Sequence, residues 1–357
     1  MQSLKLLVGS KAQEIIRRNG GLFSDQVRLV LGASGGPKWL ILRGLDDYIF
    51  GDWLLKSRTP KDLLGTSIGS MRMTAACTDD PKETFNDLLR VYCEMKYYKE
   101  QTYHDWTASA YDFFKEIFTD SRRKAIANGK DRRLNIIATR CRGLAGHPTS
   151  LFLNIVGLTK AYAQNLVDRK HLSKTFDRVI YSIEESGLPL DHLQEFNMLQ
   201  GRIVSDNVVD ILMASGSIPG VWESVVDIPH GPKGTMRDGG ITDYHFDNKW
   251  VLGEDEVVLY PHFYQHIVPG WFDKKLKRRR MSGSNWDNVV MLAPSDELVA
   301  SLPGGKITDR TDFTAYSNDQ RLKVWNHVID AGYRMADEFQ NLVENSECLI
   351  DRMELPT

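Results

Sequence analysis

A three-layer α/β/α protein around a central, mostly parallel sheet is predicted by three features of this chain. Short runs of β-branched residues and leucine, each of strand length, recur from Val27 onward. Two of them, Val27–Leu31 and Asp62–Leu64, end in glycine-rich turns and lead into helical segments, the grammar of parallel strands covered by helices. An amphipathic segment near the C-terminus supplies a long helix to pack on such a sheet.

From the N-terminus, Val27–Leu31 is followed by Pro37, which suits the first turn of a helix reaching about Phe50 because its missing N–H has no partner there anyway. After Asp62–Leu64, the turn Gly65–Ser67 opens a helix from Ile68 to about Cys77. Pro81–Lys99 and Ala108–Ala127 carry Phe85, Leu88, Leu89 and Tyr92, then Tyr111, Phe114, Ile117 and Phe118, at helical spacing. They predict a helical insertion over 81–127, suited to a lid or a packing layer. Leu134–Ala138, Leu151–Val156, Val179–Ile183, Glu256–Tyr260 and Val289–Leu292 have strand length, and Asp206–Ala214 reads as a helix. Asn318–Glu344 repeats Leu322, Trp325, Ile329, Gly332, Ala336 and Phe339 every three or four residues, a helix that packs on the sheet. The whole, 1–357, reads as a single catalytic domain in which 250–357 is a C-terminal extension.

A length of 357 residues is ample for a buried core, and a net charge of -2 gives no global attraction to nucleic acid. Any attraction to membranes has to be local. Cys77, Cys93, Cys141 and Cys348 are too scattered for a zinc pattern or a disulfide framework and read as reduced thiols. Met1–Val8 lacks a signal region, and no stretch approaches 18 uninterrupted apolar residues, so a cytoplasmic protein, with peripheral membrane contact left open, is expected.

Two glycine-bracketed serines carry the chemistry: Gly32-Ala33-Ser34-Gly35-Gly36 and Gly65-Thr66-Ser67-Ile68-Gly69. The pattern GxSxG sets a serine on a sharp strand-to-helix turn, where glycines keep its hydroxyl uncrowded. Were Ser34 the nucleophile, only Gly20-Gly21, on the wrong side of a strand, could supply oxyanion donors upstream. With Ser67 as nucleophile, the loop Gly32–Gly36 offers backbone N–H groups at the neighbouring strand end. A serine hydroxyl also needs a base, and Asp238 in Met236-Arg237-Asp238-Gly239-Gly240 is the candidate, since two glycines let backbone close around the carboxylate and raise its pKa.

These residues resemble the patatin-like phospholipases, lipid acyl hydrolases with a serine-aspartate dyad. The resemblance spans roughly Val27–Asp247 and rests on four segments in order: Ser34-Gly35-Gly36-Pro37-Lys38, Gly65–Gly69, the small-residue stretch Ala214–Pro219, and Asp238-Gly239-Gly240. Ser34 takes the first place of the usual glycine triplet, and Trp39 stands where a glycine normally follows the basic residue. The resemblance implies a patatin-like fold, Ser67 and Asp238 as the catalytic dyad, oxyanion donors at Gly35 and Gly36, and support from Ser34, Lys38, Gly65, Gly69, Gly239 and Gly240. It implies hydrolysis of phospholipid or acylglycerol esters, with no metal or organic cofactor. Lys38 would cap the loop or meet a lipid phosphate.

Other readings compete with this one. A serine-acid-histidine triad could draw on His245, His262, His266 or His327. The intervening residues of His262 and His266 lack the glutamate of HExxH, and Pro37 and Trp39 around Lys38 break the Walker pattern. A catalytically silent lipid-binding or scaffold protein could keep the same fold. Trp271, Phe272, Lys274, Lys275, Lys277, Arg278, Arg279 and Arg280 combine aromatics and cations suited to a lipid surface, with a solvated face as the bland alternative.

Overall fold

A computed structural model describes residues 2–96, 102–190, 193, 195–280 and 285–356. Its strands are β1 (Leu4–Val8), β2 (Val27–Gly32), β3 (Lys61–Thr66), β4 (Arg132–Cys141), β5 (Phe176–Ser182), β6 (Met198–Arg202), β7 (Val225–Val226), β8 (Thr235–Arg237), β9 (Val257–Pro261), β10 (Val289–Pro294) and β11 (Met353–Glu354). They form one sheet in the order β11-β1-β10-β9-β2-β3-β4-β5-β6, with β8 joined to β4 and β7 to β8. The central run β10-β9-β2-β3-β4 is parallel throughout. Antiparallel pairing is confined to β1·β10, β4·β5, β4·β8 and β7·β8. β9 and β10 are apolar along their length because a parallel sheet is covered on both faces, while β2 and β3 carry Arg28, Lys61 and Asp62 near their starts.

The helices are α1 (Ser10–Asn19), α2 (Arg43–Tyr48), α3 (Ile68–Ala76), α4 (Pro81–Glu94), α5 (Tyr103–Ile117), α6 (Asp120–Ala127), α7 (Leu151–Val167), α8 (Val208–Gly216), α9 (Asp296–Ser301), α10 (Asp312–Ala315), α11 (Asn318–Glu344) and α12 (Ser346–Asp351). The predicted terminal helix is α11, opened by a Ser317–Gln320 capping box. It buries Trp325, Ile329, Ala336 and Phe339, while Gly332 lets the helix backbone lie against Ile41. α3 is buried along its whole length, and its Arg72 reaches Asp46 of α2 at 2.6 and 2.8 Å.

Several expectations need correction. Leu151–Val156 is the first part of α7, not a strand: Ser150 accepts a hydrogen bond from Leu153 N–H as an N-cap, and the apolar run continues to helical length. An apolar run of six residues is ambiguous between the two states, and only the residues after it settle which one forms. The helix expected over Pro37–Phe50 starts as a 3₁₀ segment, Gly36–Leu42, whose residues from Pro37 onward are all buried, before α2 begins. The first insertion helix ends at Glu94; of its expected remainder, 97–99 lies outside the described residues. The second is divided into α5 and α6 at Phe118-Thr119, where Thr119 caps a new start. β1, β6, β8 and the short β7 and β11 were not anticipated from the sequence, being short or mixed in polarity.

Candidate active site

Gly32 and Gly65 are register partners at the C-terminal ends of β2 and β3, so the two glycine-serine turns emerge side by side. Ser67 follows β3 directly and precedes α3, with φ 53 and ψ -127. That conformation is sparsely populated by non-glycine residues and costs about 1–3 kcal/mol, so surrounding contacts have to hold it. They do: Ser67 N–H donates to Ser215 Oγ at 2.9 Å, Ser215 Oγ donates to Ile137 O at 2.7 Å, and Ser70 Oγ donates to Ser67 O at 2.6 Å. The bracketing glycines set the packing of α3 on the strands. A Cβ on Gly69 would lie 1.9 Å from Gly32 O, and one on Gly65 would lie 2.5 Å from Gly69 O.

Asp238 follows β8, whose antiparallel pairing with β4 sets Arg237 opposite Thr139. This brings together residues 171 apart in sequence: Ser67 Oγ donates to Asp238 Oδ2 at 2.8 Å. The other carboxylate oxygen accepts Gly240 N–H at 2.7 Å, and Asp238 N–H donates to Ser217 O at 3.1 Å. Burial pushes the Asp238 carboxyl above the usual aspartate range, opposed by the Ser67 and Gly240 hydrogen bonds and by the charges of Arg310 and Lys274. A Cβ at Gly240 would sit 2.7 Å from Ser34 Oγ and 2.8 Å from Asp238 Oδ1, so any larger residue there displaces one of those side chains. Gly239 backs onto Ile137 O and Thr66.

Ser34 is buried beside Gly240, and its N–H donates to Tyr244 O at 3.0 Å. Gly35 and Gly36 line the cavity that Ser67 and Asp238 also line, and among the described residues neither N–H has a protein acceptor. Gly36 has φ 57, which favours glycine. Lys38 forms an ion pair with Asp309, whose own burial is outweighed by that contact, so its carboxyl stays below the usual range.

Ser67 sits where two lobes of space meet. One, about 550 Å³, is lined by Lys38, Lys274, Arg280 and Arg310 along with Ser67 and Asp238. The other, about 300 Å³, is walled by Met71, Met95, Trp106, Val221, Trp222 and Phe313 and shares Gly36, Ser67, Ile218 and Arg310 with the first. Lys274 lies 4.0 Å from the centre of the Tyr244 ring, and burial, with Arg310 and Lys38 nearby, lowers its pKa to about 7. Arg310, Asp309 and Phe313 come from the segment before α11 and escaped sequence reading, because nothing local ties residues 309–313 to a loop at 34–38. Thr308 Oγ1, which donates to Pro37 O at 2.6 Å, is what pins that segment there.

No histidine among the described residues hydrogen-bonds Ser67 or Asp238. His245 Nδ1 accepts from Val268 N–H at 3.0 Å, and burial holds its ring well below the ordinary histidine range. His262 Nδ1 lies 3.0 Å from Tyr264 N–H, and burial lowers its pKa to about 3. His266 lines the polar lobe stacked on Tyr264, while His327 is exposed on α11. The basic cluster is also not one open patch. Phe272 is buried against Phe176, Lys274 turns into the cavity with Trp271, and Arg279 is bound to Asp273 and Asn165. Lys275, Lys277, Arg278 and Arg280 remain exposed.

No protein-family profile and no curated protein matches this chain. Among solved structures it is similar to VipD from Legionella pneumophila, at 11% identity and a TM-score of 0.31, over 88% of this chain and 67% of that one. It is likewise similar to human GIVD cytosolic phospholipase A2, at 10% identity and a TM-score of 0.31, over 96% of this chain but 62% of that one.

Proposed function

We propose that this protein is a serine acyl hydrolase acting on carboxylic esters of lipids through Ser67 and Asp238. The observation that carries the reading is the 2.8 Å hydrogen bond from Ser67 Oγ to a buried carboxylate of raised pKa, at the junction of a basic and an apolar lobe. Asp238 Oδ2 takes the hydroxyl proton as Oγ bonds to the ester carbonyl carbon. The carbonyl oxygen becomes an oxyanion between the free N–H groups of Gly35 and Gly36. Collapse breaks the ester C–O bond, and the proton held on Asp238 leaves with the alcohol. Water, giving its proton to Asp238, then attacks the acyl-enzyme and releases the acid, while Ser67 recovers its proton.

The two lobes suit the two ends of an amphiphile. An acyl chain fits the apolar lobe, at whose mouth Ser67 lies, and a polar or phosphorylated alcohol fits the lobe containing Lys274, Arg280 and Arg310. Among the described residues Lys274 and Arg310 form no ion pair with a carboxylate, which favours an anionic lipid over a neutral acylglycerol.

The test is turnover of p-nitrophenyl esters, with fluorophosphonate labelling, by the wild type, Ser67→Ala and Ser34→Ala. Labelling and turnover lost in Ser67→Ala but kept in Ser34→Ala support the assignment. A folded wild-type protein that neither labels nor turns over esters would leave the silent lipid-binding fold instead.

A further inference from the structure

Helix α7 is turned inside out. Its buried stripe is Asn154, Gly157, Ala161 and Asn165, one polar or small residue every three or four positions, and Gly157 fits against the backbone at Leu144-Ala145. Most of its large apolar residues face outward: Phe152 is 72% and Val167 78% exposed, with Leu151, Ile155, Val156 and Leu166 exposed beside them, while Leu158 packs inward. At about 100° per residue, Phe152, Ile155, Val156, Leu166 and Val167 fall on one face, opposite the buried stripe. Of the fourteen large apolar side chains left exposed among the described residues, eight lie within 144–167, so this is a patch and not scatter. It runs about 25 Å along the helix, from 17 residues at roughly 1.5 Å each.

A basic fringe closes one end of that face. Arg278 Nη2 donates to Leu166 O at 2.8 Å, which fixes the 274–280 segment against the C-terminal turn of α7. Lys275, Lys277 and Arg278 are exposed there, as are Lys160 on the helix and Lys170 just beyond it. Of the acids close to that segment, Asp273 is buried among Arg169, Arg279 and Asn165, Asp168 caps Lys170 N–H, and Glu195, Asp243 and Asp247 line a cleft with Arg278 and Arg279 in which Arg169 binds Glu195 and Arg178 binds Asp243. The face also adjoins the candidate site. Tyr162, at its edge, packs with its ring 6.2 Å from that of Phe272, and the neighbouring Trp271 lines the polar lobe.

We propose that the outward face of α7, with Lys275, Lys277 and Arg278, is a docking surface for an anionic lipid bilayer. Phe152, Ile155 and Leu166 enter the boundary between head groups and acyl chains, the cations meet lipid phosphates at its rim, and the polar lobe opens beside the membrane. The face matches this partner in both respects: an apolar stripe the length of an interfacial helix and a one-sided positive border. The choice of lipid as partner rests on the lipid-ester function proposed for Ser67 and Asp238.

The test is flotation of the full chain with phosphatidylcholine vesicles, with and without phosphatidylglycerol, read beside turnover of a soluble short-chain ester. Wild type should float with the anionic vesicles. Phe152→Ser with Ile155→Ser should weaken that binding by about tenfold or more, Phe152→Leu with Ile155 intact should keep most of it, and Lys275→Gln with Lys277→Gln and Arg278→Gln should weaken it by about a hundredfold at low salt. Wild type failing to float, or the serine variants floating as well as wild type, overturns the docking face. A concentration-dependent dimer without lipid, lost in Phe152→Ser, also overturns it, by showing a second copy on the face. The two readings separate cleanly. Binding lost in wild type with ester turnover intact removes only the docking face, and α7-dependent binding without any turnover removes only the hydrolase.

Discussion

The corner at Ser67 and the outer face of α7 are built on opposite terms. At the corner each polar group in the Ser67–Asp238–Gly240 chain is engaged, and glycines fill places where a single methyl would collide with backbone or with Ser34 and Asp238. On α7 the buried contacts are made by polar and small residues with Leu158 beside them, and most of the large apolar side chains are left in solvent. Long α11 obeys the ordinary rule, with Trp325 and Phe339 inward. Burial of large apolar area is what stabilises a fold, so α11 contributes to folding in a way the outer face of α7 does not. A residue that adds nothing to its own fold and is costly in water marks a contact with something else.

The largest effect should come from breaking the closed corner chemically. Asp238→Asn keeps the shape but removes the proposed base, and should lower ester turnover on the order of 10⁴-fold with an unchanged unfolding midpoint. Turnover within tenfold of wild type would show that Asp238 is not the base. Breaking the corner sterically comes next. Gly69→Ala drives a methyl to 1.9 Å from Gly32 O and should destabilise the protein by about 3 kcal/mol or more, read by denaturant unfolding.

A pH series sharpens the contrast within the site. Because burial raises the Asp238 carboxyl, turnover of a neutral ester should fall with acidification at a pH above the usual aspartate range of about 4. Lys274 is cationic below its pKa of about 7 and neutral above it. The preference for an anionic over a neutral ester, measured as a ratio of kcat/KM, should therefore shrink as pH rises through about 7, and Lys274→Met should flatten that dependence. The smallest effect belongs to α7: Phe152→Ser should change stability by no more than about 0.5 kcal/mol and leave soluble-ester turnover alone. A large loss of stability would mean that the face is packed in solution.

Most central strands were legible because a parallel, doubly covered strand carries a short run of consecutive apolar residues, such as Leu29–Leu31 and Val289–Leu292, which a sequence displays openly. The short and edge strands were not, since β6 alternates weakly and β8 is three residues long. Leu151–Val156 misled for a related reason. Its apolar run has the length of a strand, and a short apolar run says neither which state forms nor which face turns inward.

The two glycine-serine turns, the three-layer α/β/α class and the apolar stripe of α11 are legible in the chain alone, because each is written in residues close together in sequence. The tertiary fold supplies the rest: β8 lies antiparallel on β4, which carries Asp238 to Ser67, and residues 309–313 and Lys274 converge on the loop at 34–38. It alone decided that α7 docks by its glycine and asparagines. Those outcomes depend on which surfaces meet in three dimensions, and the local pattern of a segment holds no record of its partner.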